Sequence, residues 1–275
     1  MRKPFLKWAG SKTKLIPIIK SYSDKAEVFV EPFVGSGVVF INMDEYEKYF
    51  VYDINPDLIN LYNNLKNNGR DFIDLCEKYF IVENNNSERY YELRKEFNSI
   101  NDKTSIYRSA LFVYLNRHCF NGLCRYNSRG EFNVPIGKYS KPYFPREEME
   151  YFFEKSQNVE FIVADFREAF SVANKQESCF IYCDPPYVSE DLNKNEGFNT
   201  YSKEAFSVQD QIDLAILASE TTHTCLVSNH STAFTKEIYK SAKIFEFDVK
   251  RFIAAKKENR RDAKELLALF KKNYE

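Results

Sequence analysis

The β-prone run Cys179–Cys183 leads straight into Asp184, Pro185, Pro186 and Tyr187. Two prolines with fixed φ turn the end of a strand into a stiff ledge that carries one carboxylate and one aromatic ring. The plain reading is a strand ending in a proline turn. The chemical reading starts from the exocyclic amine of adenine, a poor nucleophile because its lone pair is delocalised into the ring. Asp184 can accept one hydrogen of such an amine and the Pro185 carbonyl the other, which draws the nitrogen toward tetrahedral geometry. Tyr187 can stack on the face of the base, while Pro186 keeps the ledge rigid. Direct in-line capture of a methyl group from a sulfonium then requires alignment, with no metal and no covalent enzyme intermediate. The six cysteines and three histidines agree with that expectation. They form no CxxC pair and no metal-ligand spacing, and the cysteines read as buried free thiols.

A methyl donor needs a nucleotide-type site, and two features point to one. Val28–Val30 is β-prone and runs into EPFVGSG, which places Gly35 and Gly37 where a strand hands over to the next element. Glycines there permit positive φ and close backbone approach to a ligand, although a tight turn without a ligand looks the same. The following VVFINMDEY reads as a helix. A second strand, 49–52, ends at Asp53, about 20 residues beyond the turn, as in nucleotide-binding βαβ units. Asp53 is then either an acceptor for ribose hydroxyls or the N-cap of a helix opening at Asn55-Pro56.

Stepping outward, helical spacing runs from Pro56 to about Glu96 and continues through SALFVYLNR, while strand signals return at 159–163, 179–183, 225–228 and 244–247. This predicts an α/β fold: a doubly wound, mostly parallel, Rossmann-like sheet split by a mainly helical insertion. Residues 1–56 and 158–275 form the donor-binding catalytic part, and 57–157 the insertion. Within the insertion, FNGLCRYNSRGEFNVPIGKY breaks the helix and predicts a β-hairpin. Arg117, Phe120, Asn121, Leu123, Arg125, Tyr126 and Asn127 interleave guanidinium, amide and aromatic groups there, the mixture suited to reading duplex DNA. A base within a duplex cannot reach the ledge, so it must be flipped out.

The net charge of −1 conceals a local imbalance. Residues 108–146 hold seven Lys or Arg against Glu131 alone, and residues 250–264 hold seven against Glu258 and Asp262, so the windows carry +6 and +5 and the rest −12. Such a distribution fits a defined polyanion-facing side, although charge runs are commonly just solvated faces. With 44% hydrophobic and 16% aromatic residues the chain has ample material for a core. No targeting segment and no long apolar run is read in it, so the expected setting is cytoplasmic, away from membranes.

These residues fall into motifs that resemble the Dam-type adenine-N6 DNA methyltransferases of bacteria and their phages: FLKWAGSK (5–12), VEPFVGSG (30–37), YDIN (52–55), YYELRKEFN (90–98), NRHCFNGLCRYNSRGEFNVPIGKYSKPYFP (116–145), DPPY (184–187), SNH (228–230) and KELLALF (264–270). The resemblance covers essentially the whole chain. It implies the same fold, S-adenosylmethionine as donor with S-adenosylhomocysteine as product, double-stranded DNA as substrate, GATC as target, and a monomer in solution. It implies that Trp8, Ala9, Gly10, Lys12, Glu31, Phe33, Gly35, Gly37, Asp53, Asp165, Phe166 and Asp184 surround the donor, with Asp165 on its adenine amine unless it only caps a helix. Lys7 would contact a guanine, with Leu123, Arg125, Pro135 and Tyr139 reading the other base pairs. Arg94, Arg117, Asn121 and Asn127 belong to the same DNA-facing set, and Phe120, where relatives can carry Tyr, would enter the gap left by the flipped base. The basic stretch 251–264 departs from the Ser/Asn/Gly-rich loop of close relatives and is expected to contact phosphates. The alternatives are another target sequence or RNA, another amine acceptor, and a catalytically silent DNA-binding relative.

Overall fold

The computed structural model describes residues 1–187, 206–249 and 263–271. Its centre is a seven-stranded sheet in the order β3-β2-β1-β4-β5-β7-β6, made of β1 (Val28–Glu31), β2 (Lys48–Asp53), β3 (Val159–Val163), β4 (Cys179–Cys183), β5 (Thr224–His230), β6 (Lys243–Val249) and β7 (Ala263–Phe270). The first five strands pair in parallel, and β7 lies antiparallel between β5 and β6. The order reverses between β1 and β4, and ligands of doubly wound sheets bind beyond the strand ends at such a switch point.

Central strands are apolar on both faces, as parallel strands covered by helices must be. Phe29, Val51, Phe180, Tyr182 and Leu226 pack against α1 (Ile16–Tyr22), α2 (Pro56–Glu77) and α5 (Arg146–Lys155). Val30, Tyr52, Ile181, Cys183 and Val227 face α6 (Phe166–Ala173), α7 (Val208–Glu220) and α8 (Ala233–Ile238) with its following Tyr239. The first cluster continues without a break into α3 (Ser87–Ser99) and the almost wholly buried α4 (Ile106–His118), so the inserted helices share the core of one sheet face. All six cysteines are buried and free. Among the described residues no helix is long and apolar enough to cross a membrane.

One local expectation is corrected, and one element lies beyond all of them. The helix read over VVFINMDEY is a short 3-10 turn, Phe40–Asn42. Val38, Val39, Phe40 and Ile41 are all buried, so the segment has no polar face for water; Glu31 accepts from the Phe40 N–H and the Asn42 amide donates to the Val38 carbonyl. The expected hairpin is present in minimal form, an arch with two isolated antiparallel bridges, Cys119↔Ile136 and Tyr126↔Phe132, and backbone bonds from Asn127 to Glu131 and from Asn133 to Arg125. Left-handed Asn121 and Gly122 interrupt the extended backbone that a ladder needs. Strand β7 was not anticipated. The basic stretch 251–264 lies outside the described residues except for its last two positions.

Candidate active site

Asp184 follows β4 and is held from two sides. Ser228, near the end of the adjacent β5, donates its hydroxyl to Oδ1 at 2.9 Å, and Lys12 Nζ pairs with Oδ2 at 2.9 Å. The Ser228 Oγ also lies 3.0 Å from the Tyr182 hydroxyl, which ties the carboxylate into the core. Lys12 is almost wholly buried; its ammonium also donates to the Gly10 carbonyl at 2.8 Å and stands 4.7 Å from the centre of the Tyr187 ring. The loop of residues 8–12 thus delivers a cation to the ledge.

The ledge is buttressed from behind. Gln211 of α7, wholly buried, donates to the Pro186 carbonyl at 2.8 Å and accepts from Asn229 Nδ2 at 2.9 Å. Asn229 also donates to the Tyr239 hydroxyl at 3.1 Å. Tyr187 is packed edge-on by His230, with ring centres 4.3 Å apart. A buried, mutually satisfied amide network of this kind fixes orientation because any rearrangement would strand a polar group. Ser228, Gln211 and Asn229 were not anticipated as site residues. Their signal was the polar SNH closing an otherwise apolar strand, which gains meaning only once β5 is known to lie beside β4.

The donor-side residues converge around the C-terminal ends of β1 and β2. Asp53 accepts from the Asn55 and Gly35 N–H groups at 2.9 and 3.1 Å. It is not the helix cap: Asn55 is, accepting from Asp57 and Leu58 N–H, with Pro56 opening the first turn. Gly35 has φ +45°, and a Cβ there would stand 2.8 Å from Trp8 Nε1, so glycine is required both by backbone and by the indole against it. Gly37 likewise has positive φ. Phe33 stacks on Phe166 at 5.6 Å, and Phe206, absent from the sequence expectations, meets Phe33 edge-on at 5.6 Å. Asp165 caps α6 by accepting from the Arg167 N–H and also pairs with the Arg167 guanidinium, so the capping reading holds. Its second oxygen also accepts from the Arg167 guanidinium, at 3.1 Å, and Ala9 is half-buried in the loop beside Gly10.

Charge is concentrated here. Burial pushes the Glu31 carboxyl well above the usual carboxylate range, the Phe40 N–H opposes this, and the Asp184 and Asp53 charges raise it further. Burial also pushes Asp53 up to about 6, against the N–H groups of Asn55, Gly35 and Ile54 that hold it down. A raised folded-state carboxyl adds stability that is present below about pH 4 and is lost as pH rises through about 6, whereas a ligand using the ionised form is released as pH falls through the same range. Affinity for S-adenosylhomocysteine, the product ligand that the sequence resemblance implies, is accordingly expected to weaken below pH 6, by at most about tenfold per pH unit for one linked proton. Calorimetric titrations at several pH values check this; Asp53→Asn should flatten the profile, and an equally steep profile in that variant would assign the effect elsewhere.

The arch presents the second set. Lys7 Nζ donates to the Arg117 carbonyl at 3.3 Å and lies 3.7 Å above the Tyr139 ring, and burial together with the Arg117 charge lowers its pKa. Gly122 admits it, since a Cβ there would come within 2.2 Å of Lys7 Cβ. Asn116 clamps the Lys7 backbone through both its N–H and C=O, which fastens the loop of residues 7–12 to α4. Phe120 is half-exposed, anchored by its N–H to the Pro135 carbonyl, and Asn121 beside it is exposed. Leu123 is half-buried, while Arg125 is exposed with its Nε on Asn133 Oδ1 at 2.7 Å. Other members of the predicted set have scaffold duties. Arg94 donates to the Val134 carbonyl, Arg117 to those of Tyr143 and Phe5, and Asn127 closes the arch tip by accepting from Arg129 and Glu131 N–H.

Comparison with known proteins identifies the family. A family model described as D12 class N6 adenine-specific DNA methyltransferase matches residues 8–253. Proteins named DNA adenine methylase are similar along the whole chain. One from Vibrio cholerae is 44% identical over 273 residues, covering 98% of this chain and 96% of its own. One from Serratia marcescens is 45% identical over 272 residues (97% and 98%), and one from Escherichia coli K12 is 43% identical over 270 residues (97% and 95%).

Proposed function

Because the chain belongs to the D12 class of N6 adenine-specific DNA methyltransferases, we propose that it methylates the adenine of GATC, flipped out of duplex DNA, with S-adenosylmethionine as donor. The observation that carries the reading is Asp184, oriented by Ser228 and Lys12 at the sheet's switch point, next to Glu31 and the Asp53 turn. The residues present fit that donor. Phe33 and Phe166, stacked on each other with Phe206 edge-on beside them, offer an apolar aromatic wall for its adenine, Asp53 an acceptor for ribose hydroxyls, and Glu31 with Asp184 negative charge toward a cation. When bound, the donor supplies an electrophilic methyl group on positively charged sulfur.

The chain's own part is positioning and charge. A carboxylate has about four lone-pair sites. Ser228 and Lys12 use two of those on Asp184, which leaves acceptor capacity for one adenine N–H. The Pro185 carbonyl takes the other N–H. As the N–CH3 bond forms, the nitrogen must lose one proton, and the hydrogen bond to Asp184 is its exit. Gln211 keeps the Pro186 end of the ledge from yielding, and Tyr187 backs the base. A flipped base costs a few kcal/mol of stacking and pairing. Half-exposed Phe120 compensates by filling the vacated space, and Lys7, Arg125, Leu123, Pro135 and Tyr139 read the flanking pairs. The protein acts as a monomer in this reading, with 57–157 as the target-reading part and 1–56 with 158–275 as the donor-binding part.

The test uses plasmid from a methylation-deficient host that expresses the protein. Two restriction enzymes that cut GATC with opposite sensitivity to adenine methylation should exchange their outcomes. Unaltered cutting by both would reject the target, and sequencing of modified adenines would then locate the true one.

A further inference from the structure

Arg125 is framed by two residues that reach back to one place. Asn55, the cap of α2, donates its amide to Cys124 Sγ at 3.5 Å, and Tyr126 donates its hydroxyl to Asp57 Oδ2 at 2.8 Å. Tyr126 therefore does not point at DNA. Asp57 is itself immobilised: Arg108 grips it bidentately at 2.7 and 2.9 Å, and both side chains are buried. Arg108 also donates to the Phe97 and Ile100 carbonyls at the end of α3. On the return limb of the arch, Asn98 of α3 bonds both the N–H and the carbonyl of Phe132, whose ring meets Tyr126 edge-on at 5.9 Å. Asn133, one residue further, holds the Arg125 guanidinium and donates its N–H to the Arg125 carbonyl at 3.0 Å.

We infer that Tyr126, through its hydroxyl on the Asp57–Arg108 pair, is a specificity-determining positioning residue that sets the reach of Arg125 toward the target base pair. The physical ground is that bidentate readout of a base edge tolerates little displacement, and the arch has only two isolated bridges and a few backbone bonds, one of them on the Arg125 carbonyl, to restrain it. A hydrogen bond to a buried, ionised acceptor is among the stronger single constraints available to a loop. Its far end rests on the same turn that holds Asp53, so the reading arch and the donor site share one rigid support.

This rests on the proposed reading of a defined DNA target, and the experiment separates the two. Wild type, Tyr126→Phe and Arg125→Ala are compared on duplexes containing GATC and on duplexes with either outer base pair replaced. Tyr126→Phe keeps the ring and its packing on Phe132. It should lower the ratio of kcat/KM for target over altered duplex by about tenfold, equivalent to ~1.4 kcal/mol, with kcat on saturating target DNA and affinity for S-adenosylhomocysteine within about twofold of wild type. A merely structural hydroxyl would instead lower Tm and reduce activity on all duplexes alike. An unchanged ratio in Tyr126→Phe, while Arg125→Ala collapses it, overturns the inference and leaves the target reading intact. Equal activity of the wild type on all duplexes overturns both.

Discussion

Asp184→Asn is expected to slow methyl transfer by about a thousandfold, within the range seen when a positioned acid–base group or charge-stabilising partner is removed. The amide is the same shape but can accept through one oxygen only, and its NH2 would confront the adenine amine donor to donor. Lys12 meanwhile loses its counter-charge and keeps the Gly10 carbonyl, so some loss of stability accompanies the variant. Single-turnover measurement of labelled methyl on DNA isolates the chemical step from both binding events. Near-normal single-turnover rates would remove Asp184 from the chemistry, and a shift in donor affinity comparable to the rate loss would reassign it to donor binding.

The largest effect on folding is expected at Asp57. Its partner Arg108 is 2% exposed, and the pair forms with ideal two-point geometry deep beneath the arch. Asp57→Ala leaves a buried guanidinium with backbone carbonyls as partners but no counter-charge, a defect that costs about 3 to 5 kcal/mol. Urea unfolding should show that as a lower midpoint at unchanged slope. Replacing both partners, as in Asp57→Leu with Arg108→Met, should recover part of the loss, since it removes the unpaired buried charge but leaves the Tyr126 hydroxyl and the Phe97 and Ile100 carbonyls without these partners. If the double variant is as unstable as the sum of the singles, the two residues do not act as a pair.

The parts of this site that were legible in the sequence are those whose meaning is local. A strand running into two prolines, a glycine turn after another strand, and an aspartate about 20 residues on are each written within a few neighbouring positions; the first two flank the switch point and the aspartate, at the end of the next strand, bonds the glycine turn. Asn55 took the capping role that was weighed for Asp53, which a longer look at Asn-Pro spacing allows. What stayed hidden depends on adjacency in the sheet. Ser228 matters because β5 lies beside β4, and Gln211 because one turn of α7 passes behind Pro186. Strand β7 hid for another reason: Lys264, Glu265, Leu266, Leu267 and Ala268 are good helix formers, and only pairing with two partners makes them a strand. The segment after the glycine turn erred in the opposite direction, since burial on all sides left no amphipathic stripe for a helix to use.

That late strand closes the edge of the strand that supports the ledge. The polar end of β5 carries Ser228, Asn229 and His230, and each of them is backed in register by a residue made some 35 or more positions later, Leu267, Leu266 and Glu265. A chain cut before Ala263 would leave β5 with an open edge, although Tyr182, Gln211 and Tyr239 would still hold its hydroxyl and amide, so such a truncation is expected to weaken the support of the ledge.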